Sequence, residues 1–374
     1  MRRHTLIYLL SAMLVLLAGC DVWDGPTRTV LYYAVKSNLG SDIERNIRDM
    51  ESVATKSNIK GDLLVFTSDA KGNAVLYRIV PGRNGGKNRQ EVASFTGRSG
   101  VDTRTLSDVI ATAIDRFPAD SYGLVFSSHG TSWLPEDVKN MQRVFGEENG
   151  VWMDICEMAE AIPDNTFEFI MFDACSMGSI ECAYEFRNDC RHYISSPSEI
   201  LTTGFPYSRI LPELFNPEVN YGLVAATFND YYKNNAYPYA DISVVDCGHL
   251  GALADVVARS LTGGAGDTAL YAVCTDSLQM LSSLSGSPTD LYDFEETYLR
   301  MAIDDAAREE FSSCVRRAVP VALHTGQHYC GRNGLVVPIE RFCGLSVYPM
   351  RENLTRLNIE YRKFGWYKAA IAPQ

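Results

Sequence analysis

Zinc-ligand spacing is missing from this sequence. It has six histidines in 374 residues, no C-x-x-C pair and no cysteine matched to a histidine at ligand distance, which argues against a zinc site. An excess of basic residues is missing too. With 34 Lys and Arg against 46 Asp and Glu, the net charge is −12; nothing would neutralise phosphates, and nucleic acid is not an expected partner. Cationic substrates suit this balance better. No internal repeat, low-complexity segment or Asp-rich loop of EF-hand type is present. What is present is apolar material, 46% hydrophobic and 11% aromatic. That is enough for one large domain or two, and it excludes disorder, collagen and coiled coil.

The N-terminus is a targeting segment. Met1-Arg2-Arg3-His4 is a positive start, and the apolar run Leu6 to Ala18 has signal-peptide length and is too short to span a bilayer. It ends in Leu17-Ala18-Gly19-Cys20, small residues before a cysteine that resemble a bacterial lipobox, with Cys20 acylated as the mature N-terminus. A plain secretory signal or a helical anchor are the alternatives. The expected location is therefore that of an exported lipoprotein held to a membrane on its periplasmic or cell-surface side. No later run reaches about 18 apolar residues. Residues 1–20 are read as leader, 21–262 as the main domain, and 263–374, after the Gly263–Gly266 break, as a portion completing or packing on it. Removing Cys20 from ten cysteines leaves nine, whose pairing cannot be read from spacing.

Hydropathy predicts an α/β protein. The run Thr29–Val35 reads as a strand buried on both faces. Ser41–Thr55 reads as an amphipathic helix, and Asp62–Ser68 and Ala74–Val80 as two further strands. Gly82–Asn88 reads as an exposed turn. In Thr103–Phe117 the residues Leu106, Val109, Ile110, Ala113, Ile114 and Phe117 form one helical stripe. Tyr122–Ser128 and Phe167–Phe172 are expected strands separated by a helix at Met153–Ile162. The alternation implies a mostly parallel sheet covered on both faces, with an active site at the carboxyl ends of its strands.

Two strand ends carry reactive residues, Ser127-Ser128-His129-Gly130 and Asp173-Ala174-Cys175-Ser176. If these strands are neighbours, both side chains emerge at one rim, as a Cys/His pair requires. Reading the second strand as running straight into a helix, free N–H groups at the helix start would favour the Cys175 thiolate. Those groups, with the N–H of Gly130, would hold an oxyanion. Alone, each residue has an ordinary structural explanation; together they suggest a thiol nucleophile.

Phe117-Pro118-Ala119-Asp120 through Ser128-His129-Gly130-Thr131-Ser132-Trp133 and Asp173-Ala174-Cys175-Ser176-Met177 resemble the clostripain family of cysteine peptidases. So do Ser196-Pro197-Ser198-Glu199 leading to Gly204-Phe205-Pro206-Tyr207, the opening strand with Asn38-Leu39, Thr289 to Phe294, and Gly344 to Pro349. The resemblance implies a caspase-like α/β/α sandwich with a smaller C-terminal α+β portion. It implies His129 and Cys175 as the catalytic dyad, the Gly130 and Cys175 N–H groups at the oxyanion, and cleavage of peptides after Arg or Lys. Asp173 matches the family's acid for a basic P1 residue, the alternative being a helix N-cap. Glu199 is a second pocket candidate. Self-cleavage within the polar connection Thr131–Gly150, read as mobile and exposed, would follow Arg143 or, second, Lys139; an inert loop is the alternative. No cofactor is implied, although calcium dependence occurs in some relatives. The family commonly has Gly at Ser132, an Asp near Lys36 or Ser37, Trp at Phe205 and Leu at Ser176. Other readings are a binding lipoprotein with an inert Cys175, or a thiol amidase, which would have no use for Asp173.

Overall fold

In the computed structural model, the apolar run Thr29–Val35 becomes strand β1 (Arg28–Val35), every residue of it buried. The structure describes residues 27–54, 59–80, 88–134, 145–261, 266–284, 287, 289–301, 305–331 and 333–372. Side chains along β1 alternate between two cores. Leu31, Tyr33 and Val35 enter one apolar cluster and Val30, Tyr32 and Ala34 the other, the period-two consequence of a sheet covered on both sides.

A nine-stranded sheet runs through the molecule in the order β13-β10-β9-β8-β5-β1-β2-β3-β4. Its middle strands, β9 (Cys190–Ser195), β8 (Phe167–Asp173), β5 (Ser121–Ser127), β1 and β2 (Gly61–Ser68), are parallel. Antiparallel strands extend both edges: β3 (Val75–Ile79) and β4 (Arg89–Ser94) on one side, β10 (Asp241–Asp246) and β13 (Val321–His324) on the other. One face carries α1 (Gly40–Ala54), α5 (Tyr207–Leu214) and α6 (Tyr221–Lys233). The other carries α2 (Thr103–Arg116), α3 (Ile155–Glu160), α4 (Ile180–Glu185), α7 (Leu250–Ser260) and later helices. This is the expected α/β/α sandwich. Asp102 and Asp154 start α2 and α3 by accepting backbone N–H groups, as N-caps do.

After α8 (Gly266–Tyr271) come a small sheet of β11 (Met280–Ser282), β12 (Leu291–Asp293) and β16 (Ser346–Val347), helices α9 (Phe294–Leu299) and α10 (Asp305–Ala318), and a hairpin of β14 (Gln327–Cys330) and β15 (Leu335–Pro338). Strand β13 returns to the edge of the main sheet. Near the C-terminus helix α11 (Thr355–Tyr361) buries Leu357 and Tyr361. Trp133 packs there at 5.4 Å from Tyr361 and 5.1 Å from Phe364, so the segment after His129 is bolted to the C-terminal helix.

Several expectations need correction. The connection Thr131–Gly150 is not loose at its ends: residues 131–134 are buried, and β6 (Phe145–Glu148) and β7 (Val151–Met153) form a hairpin with Phe145 fully buried. Strands β4, β11, β12 and β14 have no counterpart in the hydropathy reading. They are three to six residues long, and β4 is an edge strand of charged and polar residues, which carries little apolar alternation to detect. Residues 82–87 of the expected turn and 263–265 of the expected break lie outside the described residues. The nine cysteines from Cys156 to Cys343 are free thiols.

Candidate active site

Strand register decides where the two reactive side chains emerge. Parallel β5 and β8 pair Ser127 with Asp173, and His129 and Cys175 each stand two positions beyond that pair, at one rim of the sheet. The Ser128 N–H donates to the Asp173 carbonyl at 3.4 Å, and its Oγ donates to the Val35 carbonyl at 2.8 Å. The ends of three adjacent strands are thereby fastened together. Gly130 lies so close to the nucleophile turn that a Cβ would stand 2.6 Å from the Cys175 carbonyl oxygen, a distance that admits only glycine.

The chain does not run from β8 directly into a helix. Helix α4 begins at Ile180 with Ser179 as its N-cap, so Cys175 precedes it by five positions and gains no helix-start N–H. Ser176 takes the left-handed conformation, φ 61°. The Ser176 N–H donates to the Ser198 carbonyl at 2.7 Å and that of Gly178 to Ser196 at 2.9 Å, so both are already engaged. Cys175 Sγ donates to the Ile200 carbonyl at 3.5 Å. Burial, with the Glu199 charge adding to it, pushes the thiol up to about 12. In this resting arrangement Cys175 is a protonated thiol, the opposite of the activated thiolate expected from the sequence.

Buried Asp173 accepts from the Tyr207 hydroxyl at 2.8 Å. Burial raises its carboxyl to about 6, with hydrogen bonds from Tyr207, the Phe205 N–H and Ser127 and the charge of Arg45 pulling the other way. The N-cap alternative does not hold, since Ser179 occupies that position. Gly204, at φ +65°, closes over this carboxyl: a Cβ there would lie 2.7 Å from Asp173 Oδ2 and 2.8 Å from Asn46 Nδ2.

Glu199 accepts from the Gly331 N–H at 2.7 Å, at the end of β14, and burial raises it to about 7. Its loop is held from below. The Asp241 carboxyl accepts from Ser196 Oγ at 2.7 Å and from Ser198 Oγ and N–H. His129, Asp173, Cys175 and Glu199 face one cavity of about 270 Å³, together with Asn46 and Tyr329. A larger cleft of about 1220 Å³ lies elsewhere, lined by Asp154, Glu157 and Lys363 among others, and holds neither Cys175 nor His129. His129 Nε2 meets Asn38 Oδ1 at 2.5 Å. Lys139, Arg143 and Cys20 lie outside the described residues. Among the described residues no group of three His, Cys, Asp or Glu side chains is placed to hold a metal ion.

The sequence model of the clostripain family matches residues 31–329. The chain belongs to the clostripain family. Its fold is close to solved cysteine proteases of that group, designated C11. An inactive zymogen C11 protease from Parabacteroides distasonis superposes with a TM-score of 0.82 at 29% identity, covering 93% of this chain and 99% of that one. A secreted C11 cysteine protease from Bacteroides thetaiotaomicron gives 0.79 at 26% identity over 92% and 99%. A secreted C11 cysteine protease from the same organism, in complex with an irreversible peptide inhibitor, gives 0.79 at 28% over 92% and 98%. No curated protein matches the chain.

Within the clostripain fold one departure acquires a physical meaning. Ser132, where the family commonly has Gly, adopts φ 59°, a conformation glycine enters without strain. Its hydroxyl donates to Ser179 Oγ at 2.8 Å, tying the His129 loop to the N-cap of α4 and offsetting part of the strain. Sequence reasoning missed Asn46 and Tyr329 altogether. It quoted Asn38 and Tyr207 only as parts of longer motifs, because nothing in a linear sequence marks which residue of a loop turns inward.

Proposed function

We propose that this clostripain-family protein is a cysteine endopeptidase cleaving after Arg or Lys, with Cys175 as nucleophile and His129 as its base. The observation that carries this reading is the β5/β8 register, which sets both side chains over a cavity with a buried carboxylate. His129 takes the Cys175 proton, the thiolate adds to the scissile carbonyl carbon, and the N–H groups of Gly130 and Cys175 receive the oxyanion. Collapse breaks the C–N bond, and the imidazolium protonates the departing amine. Water, deprotonated by His129, then hydrolyses the thioester.

Asp173 receives the basic P1 side chain and Glu199 stands at the pocket wall. The raised thiol and the likeness to an inactive zymogen support reading the uncut chain as a latent precursor. Self-cleavage after Arg143, or second after Lys139, would leave two chains held by the sheet. An acylated Cys20 would hold the exported enzyme to its membrane.

The test is hydrolysis of fluorogenic peptides with Arg, Lys, Asp or Leu at P1 by the chain from Asp21 onward, beside Cys175→Ala, with and without calcium. Turnover of Arg or Lys substrates alone, abolished in the variant, is the expected result. Silence from folded protein both uncut and nicked with trypsin would favour the binding-lipoprotein reading.

A further inference from the structure

We propose that Asn38 is a positioning residue for His129: its side-chain carbonyl accepts the Nε2–H and leaves Nδ1 as the nitrogen that takes the thiol proton. The inference rests on the dyad reading above and deepens it. The contact is 2.5 Å between His129 Nε2 and Asn38 Oδ1. A carbonyl oxygen has no proton to give, so the partner nitrogen must carry one. In neutral imidazole the lone pair is then on the other nitrogen. A neutral amide does this without placing a second anion beside the thiol, where Glu199 already opposes ionisation.

The fold brings Asn38 to this place through the same register that delivers the dyad. Strand β1 is the other parallel neighbour of β5, with Ala34 opposite Ser127, so β1, β5 and β8 present Asn38, His129 and Cys175 side by side. The turn carrying Asn38 is rigidly built. Ser37 is left-handed at φ 42°, the Leu39 N–H donates to the Lys36 carbonyl at 2.7 Å, and Lys36 N–H donates to Ser68 at 3.0 Å. Ser37 Oγ donates to Glu147 at 3.1 Å, on the β6–β7 hairpin whose Gly146 N–H donates to the His129 carbonyl at 3.0 Å. One hairpin therefore fixes both the backbone of His129 and the turn that presents its partner. Preorganisation of this kind is what an orienting residue needs, since small misplacement of a base costs about 10²-fold in rate.

The experiment compares Asn38→Ala, Asn38→Asp and His129→Ala in the soluble chain from Asp21 onward, each nicked with trypsin before the Arg-P1 kinetics so that lost self-cleavage is not read as lost turnover, and with ¹⁵N-histidine NMR of the unliganded protein. Asn38→Ala is expected to lower kcat about 10²-fold with KM nearly unchanged, and Asn38→Asp, which keeps the acceptor but adds an anion beside the thiol, to recover only part of the loss. The wild-type His129 signal should show the Nε2–H tautomer, and Asn38→Ala a mixture. An unchanged kcat and tautomer in Asn38→Ala, beside a dead His129→Ala, overturns the role of Asn38 and leaves the dyad standing. A rise in kcat on removing Asn38 overturns it as well, by showing a restraint rather than an aid. An active His129→Ala removes the dyad reading itself.

Discussion

Asp173→Asn removes the negative charge from the floor of the cavity while keeping its size. A guanidinium or ammonium entering there meets a buried carboxylate, already bonded to Tyr207. Breaking a buried ion pair by removing one partner costs about 3–5 kcal/mol, and 1.4 kcal/mol is tenfold. Thr202 on the cavity's lining is exposed to solvent, so the ion pair stays partly solvated and the lower half of that range applies. The ratio of kcat/KM for Arg-P1 over Leu-P1 peptides should fall by about 10²–10³.

Acidity supplies an independent arm. Burial holds Asp173 near 6, and only the ionised form attracts a cation. The Arg/Leu ratio in wild type should therefore be flat above about pH 7 and fall roughly tenfold per unit below about pH 6. Taking a ratio cancels titration of the dyad, which acts on both substrates. Arg45 is the cation whose charge reaches this carboxyl, so Arg45→Ala should move the midpoint upward. If Asp173→Asn, with native circular dichroism, keeps its preference for Arg, or if the wild-type ratio is level from pH 5 to 8, the pocket assignment is wrong.

Other outcomes follow from the same geometry. Gly204→Ala forces a Cβ to 2.7 Å from Asp173 Oδ2 at φ +65°; urea titration should show a loss of about 1–3 kcal/mol, and no loss would refute the close approach. Trp133→Ala empties the stack against Tyr361 and Phe364 and should cost about 3–5 kcal/mol in denaturant unfolding; a change under 1 kcal/mol would contradict the anchoring role. Cys175, raised to about 12, should react with iodoacetamide at pH 7.5 at least ~10²-fold more slowly than an ordinary thiol of pKa about 8.5, read by peptide mapping because Cys274 is exposed. Glu181, buried in α4 and raised by that burial to about 7, favours the folded state in its protonated form. Its contribution is present below about pH 4.5 and lost as the pH rises through about 7, a span of about 3 kcal/mol. Relative to wild type, Glu181→Gln should flatten the decline in stability over that window, and parallel curves would rule the linkage out.

Glu181 also illustrates how the site is braced. Its Oε1 accepts from the Tyr348 N–H at 2.9 Å, while Ser346 N–H donates to the Gly178 carbonyl at 2.9 Å. The late strand thus holds the nucleophile turn from one side, and the Asp241–Ser198 contact holds the loop on the other. Both supports arrive from chain segments more than 60 positions from Cys175. Chemistry at such a rim depends on restraints that are distant in sequence.

By itself the sequence determined the sheet's buried strands, because a strand covered on both faces reads as a near-continuous apolar run, as Thr29–Val35 does. It determined α2 to within one residue, since its apolar stripe repeats at helical period. It also marked His129 and Cys175 as strand-terminal. Tertiary structure alone decided that β5 and β8 are neighbours in the register that pairs Ser127 with Asp173, since pairing partners leave no local trace. It alone decided that Cys175 rests as a raised thiol rather than a helix-start thiolate, because burial and the charge of Glu199 are properties of the assembled loops. And it alone turned Asn38 toward His129, through a left-handed serine and a hairpin more than 100 positions away. Periodicity records which face of an element is dry; which elements meet, and which side chain turns inward from a loop, is fixed only when the whole chain closes on itself.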